Sequence, residues 1–261
     1  TCLSLPKTDN SMPLFNDDEL KRYSRHLSLP EIGIDGQSKL HDAKVFIVGA
    51  GGLGSPVALY LAAAGVGNIC IIDGDVVDLS NLQRQIIHST ADVGRAKVES
   101  ASQSMTALNP GVKVEAVSGL LTADNAESLM ADYDIIVDAT DSLSTKLLIN
   151  DTCVALGKPF VHGGMYRYMG QAMTYVPGSP CYRCLFAGEE PVQPGNEVVA
   201  GPFGAVAGIL GCIQSAEVIK YITGIGRLLT GRLLRFDTLT MEFSTFNIPA
   251  YNRCRCRRPI K

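Results

Sequence analysis

Hydrophobic positions in this chain fall into short, wholly apolar runs separated by longer segments of helical period. Such runs suit strands buried on both faces, joined by crossover helices. Positions 45–48, 68–73 (NICIID), 134–138 (DIIVD) and 160–163 read as the buried strands. Between them, 55–64, 97–108 and 144–157 read as helices, the second stopped by Asn109-Pro110. Positions 112–117 alternate as a strand, and Thr122 is placed to cap a helix running to Ala131. An amphipathic helix is expected over 16–29, with Asn or Asp at its start. These elements predict an α/β fold with a doubly wound, mostly parallel sheet.

After Gly170 the pattern changes. Positions 171–176 read as a strand of a mixed or antiparallel extension, 203–222 as a mostly apolar helix, and 233–236 and 242–246 as two closing strands. The stretch 186–204 is rich in Pro, Gly and Glu, has no period, and is long enough to suggest a functional loop. No repeat or low-complexity linker divides the chain. The expected organisation is a flexible tail over 1–14 and a single domain over 15–261, its first half at about 43–165 and its second half at about 166–261.

Composition narrows the function. The chain has 261 residues, 46% of them hydrophobic, which suffices for a large core, and a formal net charge of −3. That charge argues against a partner held through nucleic-acid phosphates. No apolar run approaches the roughly 20 residues needed to cross a bilayer. Positions 1–11 lack the basic start and apolar centre of a signal peptide, and Met12 is a candidate start. A cytoplasmic location is therefore expected. Of eight cysteines, Cys70, Cys153 and Cys212 lie in apolar segments and read as small core residues. Cys181/Cys184 and Cys254/Cys256 form close pairs, which without an export signal favour a metal over disulfides.

The first buried strand runs into VFIVGAGGLG, a G-x-G-x-x-G turn at Gly49, Gly51 and Gly54. Glycines there allow a tight turn and close approach of backbone N–H groups to phosphate, and the following helix offers its N-terminus to the anion. Asp73 ends the next strand, where an acid would meet ribose hydroxyls. This fingerprint, Rossmann-like, does not choose between a dinucleotide and ATP. The next segment, DGDVVDLSNLQRQ at 73–85 followed by Lys97, does. A hydride-transfer enzyme using NAD has no need of Arg84 and Lys97 aimed beyond the adenylate, whereas an enzyme releasing pyrophosphate must neutralise it. Asp141, in DATDS after a buried strand, suits a Mg²⁺ ion shared with phosphate oxygens.

GAGGLG, the D-x-D-x-V-x-x-S-N-L-x-R-Q stretch, Lys97, A-T-D at 139–141 and C-Y-R-C at 181–184 stand in one order across nearly the whole chain. In this the chain resembles the MoeB/ThiF adenylyltransferases, relatives of the ubiquitin-activating enzymes. The resemblance implies ATP contacts at Gly52, Asp73, Ser80, Asn81, Arg84 and Lys97, and Asp141 as Mg²⁺ ligand. It implies that Arg25, in R-Y-S-R, enters the site of a partner subunit in a homodimer. It also implies a small ubiquitin-like sulfur carrier ending in Gly-Gly as the protein activated, through an acyl adenylate. A family relative adenylating a peptide, small molecule or tRNA base is the alternative, and an NAD-dependent oxidoreductase a more distant one. Asp75 and Asp78 are secondary candidates, and Ser142 replaces the family's usual Asn.

Relatives complete a four-thiolate zinc site with a second C-x-x-C, whereas this chain has Cys254-x-Cys256 followed by Arg257, Arg258 and Pro259. A structural, C-terminal zinc site built from Cys181, Cys184, Cys254 and Cys256 is expected, with no open coordination position. Many relatives also carry a cysteine in the loop after the first pair. None lies between Cys184 and Cys212, Pro194 standing at the matching place, so the reaction is expected to stop at the adenylate. His26, His41, His88 and His162 are scattered and read as structural. The basic end at 253–261 is equally a solvated tail or a contact for an acidic carrier.

Overall fold

In the computed structural model, which describes residues 15–187, 189 and 201–257, the apolar runs form β1 (Lys44–Val48), β2 (Asn68–Asp73), β3 (Lys113–Ser118), β4 (Ile135–Asp138) and β5 (Phe160–Tyr166). They pair in parallel in the spatial order β3-β2-β1-β4-β5. At Arg167, with φ of 54°, the chain reverses into β6 (Met169–Tyr175). β7 (Arg232–Asp237) and β8 (Glu242–Asn247) then extend the same sheet antiparallel to eight strands.

Helices cover both faces, so the inner strands β1, β2 and β4 are apolar almost throughout, while the edge strand β3 alternates and is largely exposed. α4 (Gly54–Ala64), α5 (Lys97–Leu108) and α8 (Gly204–Thr223) pack with Val45, Ile47, Ile69, Ile71 and Val137 in one core. α6 (Ala126–Met130) and α7 (Leu143–Leu156) pack with Phe46, Val48, Cys70, Ile72 and Ile136 in the other. The four paired cysteines belong to this second core.

The N-terminal helix is broken into α1 (Asp17–Arg22) and α2 (Ser24–Leu27) at Tyr23. Tyr23 turns inward, and its hydroxyl accepts a hydrogen bond from Asn109 at 2.9 Å. Asn16 does cap α1, exchanging side-chain bonds with Glu19. The helix expected from Thr122 starts later, at Ala126; the residues between form a turn in which the Thr122 N–H bonds the Asn125 side chain at 2.8 Å. α3 (Gly33–Asp42) is polar in composition and buries Gly36, Gln37 and Leu40; Gln37 donates to the carbonyl of Ala64 at 2.9 Å.

α8 corrects a further expectation. By length and composition it is one helix apolar enough to cross a membrane. It instead packs on α4 and the sheet, burying Val206, Leu210 and Val218 together with Gln214, Ser215 and Glu217. The expected tail at 1–14, the Pro194 stretch of the loop, and Arg258 and Pro259 lie outside the described residues.

Candidate active site

From β1 the chain winds outward to β2 and β3, then returns to place β4 on the other side of β1. The carboxyl ends of β1 and β4 flank the point where the strand order reverses, where sheets of this kind carry the crevice that takes a ligand. The turn Gly49–Gly54 and the turn carrying Asp141 form its two sides. They touch: Gly49 has φ of +103°, and a Cβ there would lie 2.8 Å from the carbonyl oxygen of Ala139. A Cβ on Gly54 would lie 1.9 Å from the Gly49 oxygen, so the turn closes on itself only without side chains. α4 then begins there with no side-chain cap, its positive dipole end at the turn.

The glycine turn is braced from behind. Asp73 accepts the N–H of Ala50 at 2.8 Å on one oxygen and that of Asp75 at 2.8 Å on the other. Buried His88 bonds the Ala50 carbonyl through Nε2 at 3.0 Å and Ser100 through Nδ1 at 2.8 Å. Burial lowers the His88 pKa, which favours a neutral ring donating from Nε2. The structural reading of this histidine places it as a prop of the loop.

Residues 75–97 form the rim. The Arg84 side chain runs over Gly52, its Cγ 3.3 Å from where a Cβ would stand, and its Nη1 donates to Ser80 O at 3.2 Å. Gln85, buried beside Gly51, was not singled out in sequence, and its Oε1 finds no partner among the described residues. Lys97 opens α5 almost wholly buried, with Nζ 2.7 Å from Asp75 Oδ2. Asp78 caps the short turn Leu79–Asn81, taking the Ser80 hydroxyl at 2.5 Å and its N–H at 2.8 Å. Those bonds lower the Asp78 pKa. Asn81 returns a contact to the Asp78 N–H at 3.4 Å. Ser80 and Asn81 therefore shape the rim, while Arg84 and Lys97 supply its charge.

Asp141 is exposed in the turn after β4, adjoining the Gly49–Ala139 contact. Ser142 caps α7 through the Thr145 N–H at 3.4 Å, a task its hydroxyl performs in place of Asn. Arg25 is not gathered with these groups: it is exposed on α2, which packs chiefly on α1 and α3.

Sequence reading missed a buried ionic cluster beneath the Asp141 turn. Asp138, the last residue of β4, meets Lys146 Nζ at 3.1 and 3.2 Å and His162 Nδ1 at 2.7 Å. Burial alone would raise Asp138, but the ammonium and the imidazole outweigh it and hold the carboxyl at about 2. A lysine within apolar α7 and a histidine within apolar β5 were the signals available.

The two cysteine pairs meet. Cys181 and Cys254 sulfurs lie 3.5 Å apart, Cys184 and Cys256 sulfurs 3.6 Å, and all four fall within 4.8 Å of one another, buried. These separations exceed the roughly 2.05 Å of a disulfide. Cys184 is pulled down to about 4, first by the Cys181 thiol donating to it, while burial pushes Cys256 up to about 12. Ionising all four together requires a cation, and four buried sulfurs in tetrahedral reach suit zinc. Cys70 and Cys153 are buried as expected, with Cys70 pushed up to about 11 by burial. Cys212 is exposed on α8, correcting its assignment to the core.

The sequence profile of the ThiF family matches residues 23–258. The chain is 46% identical to "Probable adenylyltransferase/sulfurtransferase MoeZ" of Mycobacterium tuberculosis, covering 94% of this chain but 64% of that protein. It thus spans less than two thirds of that relative's length. It is 43% identical to "Sulfur carrier protein adenylyltransferase" of Thermus thermophilus, covering 91% of this chain and 90% of that one. The solved structure of Escherichia coli MccB with ATP superposes with a TM-score of 0.79 at 26% identity, over 90% of this chain and 74% of that one.

Proposed function

The chain belongs to the ThiF family, and from that premise we propose that it adenylates the C-terminal glycine of a small ubiquitin-like sulfur carrier. A carboxylate oxygen of the carrier bonds to the α-phosphorus of ATP, the bond from that phosphorus to the bridging oxygen breaks, and pyrophosphate leaves. The products are an acyl adenylate and pyrophosphate. The observation that supports this reading is the approach of the Arg84 stem to Gly52 and of the Gly49 turn to Ala139, two residues before Asp141, at the β1/β4 switch point, with Lys97 paired to Asp75 on the rim. The Thermus relative, matched over nearly its whole length, favours a sulfur carrier over a peptide, small molecule or tRNA base.

A C-terminal carboxyl, with a pKa of about 3.5, is already ionised at neutral pH and needs no general base. The task is to align two anions and offset their repulsion. Backbone N–H groups of the glycine turn and the α4 terminus hold phosphate oxygens, and Arg84 and Lys97 take up charge as pyrophosphate departs. Mg²⁺, held by Asp141, would supply further neutralisation of the phosphates when bound. Zinc held by Cys181, Cys184, Cys254 and Cys256 would be structural, since all four positions are filled by sulfur.

The protein partner is read onto the antiparallel end of the sheet, where Met169, Leu239, Met241, Phe243 and Phe246 are exposed. Arg25, exposed on α2, supports the reading of a homodimer in which each copy reaches into its neighbour's site. The absence of a cysteine between Cys184 and Cys212 supports release of the adenylate to a separate sulfur donor, in the reducing cytoplasm. The test is carrier-dependent exchange of labelled pyrophosphate into ATP, with the carrier gaining the mass of AMP. Asp141→Ala should abolish exchange while leaving the thermal melt unchanged. Normal turnover of that variant, or a preference of the protein for NAD over Mg-ATP, would sink the reading.

A further inference from the structure

Among the described residues the Asp141 side chain has no hydrogen-bond partner, so its placement depends on the turn that carries it. That turn is anchored by the Asp138 carboxylate, which accepts the N–H of Thr140 at 3.2 Å and its hydroxyl at 2.9 Å. The carboxylate is in turn fixed by Lys146 and by His162, neither of which reaches solvent to any extent. Lys146 also donates to the Gly163 carbonyl at 2.6 Å, tying β4 to β5. On its other side the His162 ring lies against Tyr182, centroids 4.3 Å apart at 36°. Tyr182 stands between Cys181 and Cys184, and its N–H is held by Asn150 of α7 at 2.9 Å, one helical turn from Lys146.

A path of contacts therefore runs from the cysteine cluster through the buried Tyr182, His162 and Asp138 to half-buried Thr140, whose chain neighbour is the exposed Asp141. We propose that Tyr182, His162, Asp138 and Thr140 are positioning residues that couple metal occupancy of the four-cysteine site to Mg²⁺-dependent nucleotide binding at Asp141. The inference rests on the proposed function for the identity of the ligand, but the path itself is geometric. Coupling of this kind requires a packed element with little freedom to relax, which a hydrogen-bonded ion pair and a stacked ring provide. The cysteine knuckle is thereby more than a staple for the chain end: it forms the back wall against which His162 is pressed.

The experiment measures ATP affinity by calorimetry with and without Mg²⁺, alongside zinc content and melting temperature. Asp138→Asn is unsuitable, because it leaves the Lys146 ammonium buried without a counter-charge. Thr140→Val removes one hydroxyl at nearly constant shape, and Tyr182→Leu removes the ring stack while keeping all four cysteines. In the wild-type protein, stripping zinc should reduce the Mg²⁺-dependent gain in affinity about tenfold and leave Mg²⁺-free binding unchanged. Thr140→Val should show the same selective loss with zinc still bound. In Tyr182→Leu, zinc removal should have no further effect on the Mg²⁺ gain. An equal loss with and without Mg²⁺, or a full zinc effect persisting in Tyr182→Leu, overturns the coupling. Absence of any Mg²⁺-ATP binding in the zinc-loaded wild type overturns the functional reading and the coupling with it.

Discussion

The Lys97 ammonium lies 2.7 Å from the Asp75 carboxylate, with 7% of the lysine side chain exposed and 68% of the aspartate. A cation so enclosed needs an anion, and Asp75 provides one at the mouth of the crevice, where a triphosphate can compete for it. Replacing Lys97 by Met keeps the stem and removes the charge. The expected result is a fall of about 10²-fold or more in carrier-dependent pyrophosphate exchange, the scale of one lost charge-stabilising group. The melting temperature should stay close to wild type, because the partner left behind is mostly solvated.

Gly54→Ala is expected to be far more damaging than its size suggests. The added methyl would meet the Gly49 carbonyl oxygen at 1.9 Å, and backbone cannot yield as a side-chain end can. A loss of about 3 kcal/mol or more in urea unfolding is expected, with poor soluble yield. Gly208→Ala is the control: nothing lies within 4 Å of its Cβ position on α8, so it should be neutral or stabilising by up to about 1 kcal/mol.

Chelation at the cysteine cluster should release about one zinc per chain and lower the melting temperature, since four buried thiols replace a closed metal site. Cys254→Ser should lower bound zinc in parallel. Full retention of zinc in that variant would show that the C-terminal pair does not complete the site.

Stability should decline on the acid side before any carboxylate titrates. Burial lowers the pKa of both His88 and His162 beneath the ordinary 6.5. The unfolded chain then binds more protons than the folded one as pH falls below 6.5, so stability drops with falling pH and is fully present above it. Asp138, held at about 2 against a usual 3.8, adds a second loss between those two values. Melting temperatures from about pH 7.5 to about pH 5 check the first window, and His88→Gln should shallow its slope.

The parallel half of the fold was legible because strands such as NICIID are apolar throughout and are punctuated by Gly, Asn and Pro; β2 and α5 fall on the expected residues. The glycine turn follows from a local motif in the same way, whereas the meeting of the two cysteine pairs, 72 or 73 residues apart, was implied by the family resemblance. His162 was read as structural and is, but its partnership with Lys146 and Asp138 escaped notice, because it lies in β4, α7 and β5 coming together, which no local spacing encodes. Cys212 was misplaced for a related reason: an apolar neighbourhood in sequence does not say which side of α8 faces out. The break at Tyr23 likewise depends on a distant partner, Asn109.

The register that sets Val45 beside Ile135 has a temporal consequence. Strands this distant in sequence find each other only after a large loss of chain entropy, which makes their docking slow relative to local helix formation. The Gly49 turn packs against the Ala139 carbonyl, so the anion affinity proposed for that turn is expected to mature with that docking step. During refolding, a fluorescent nucleotide would act as a clock for completion of the central sheet.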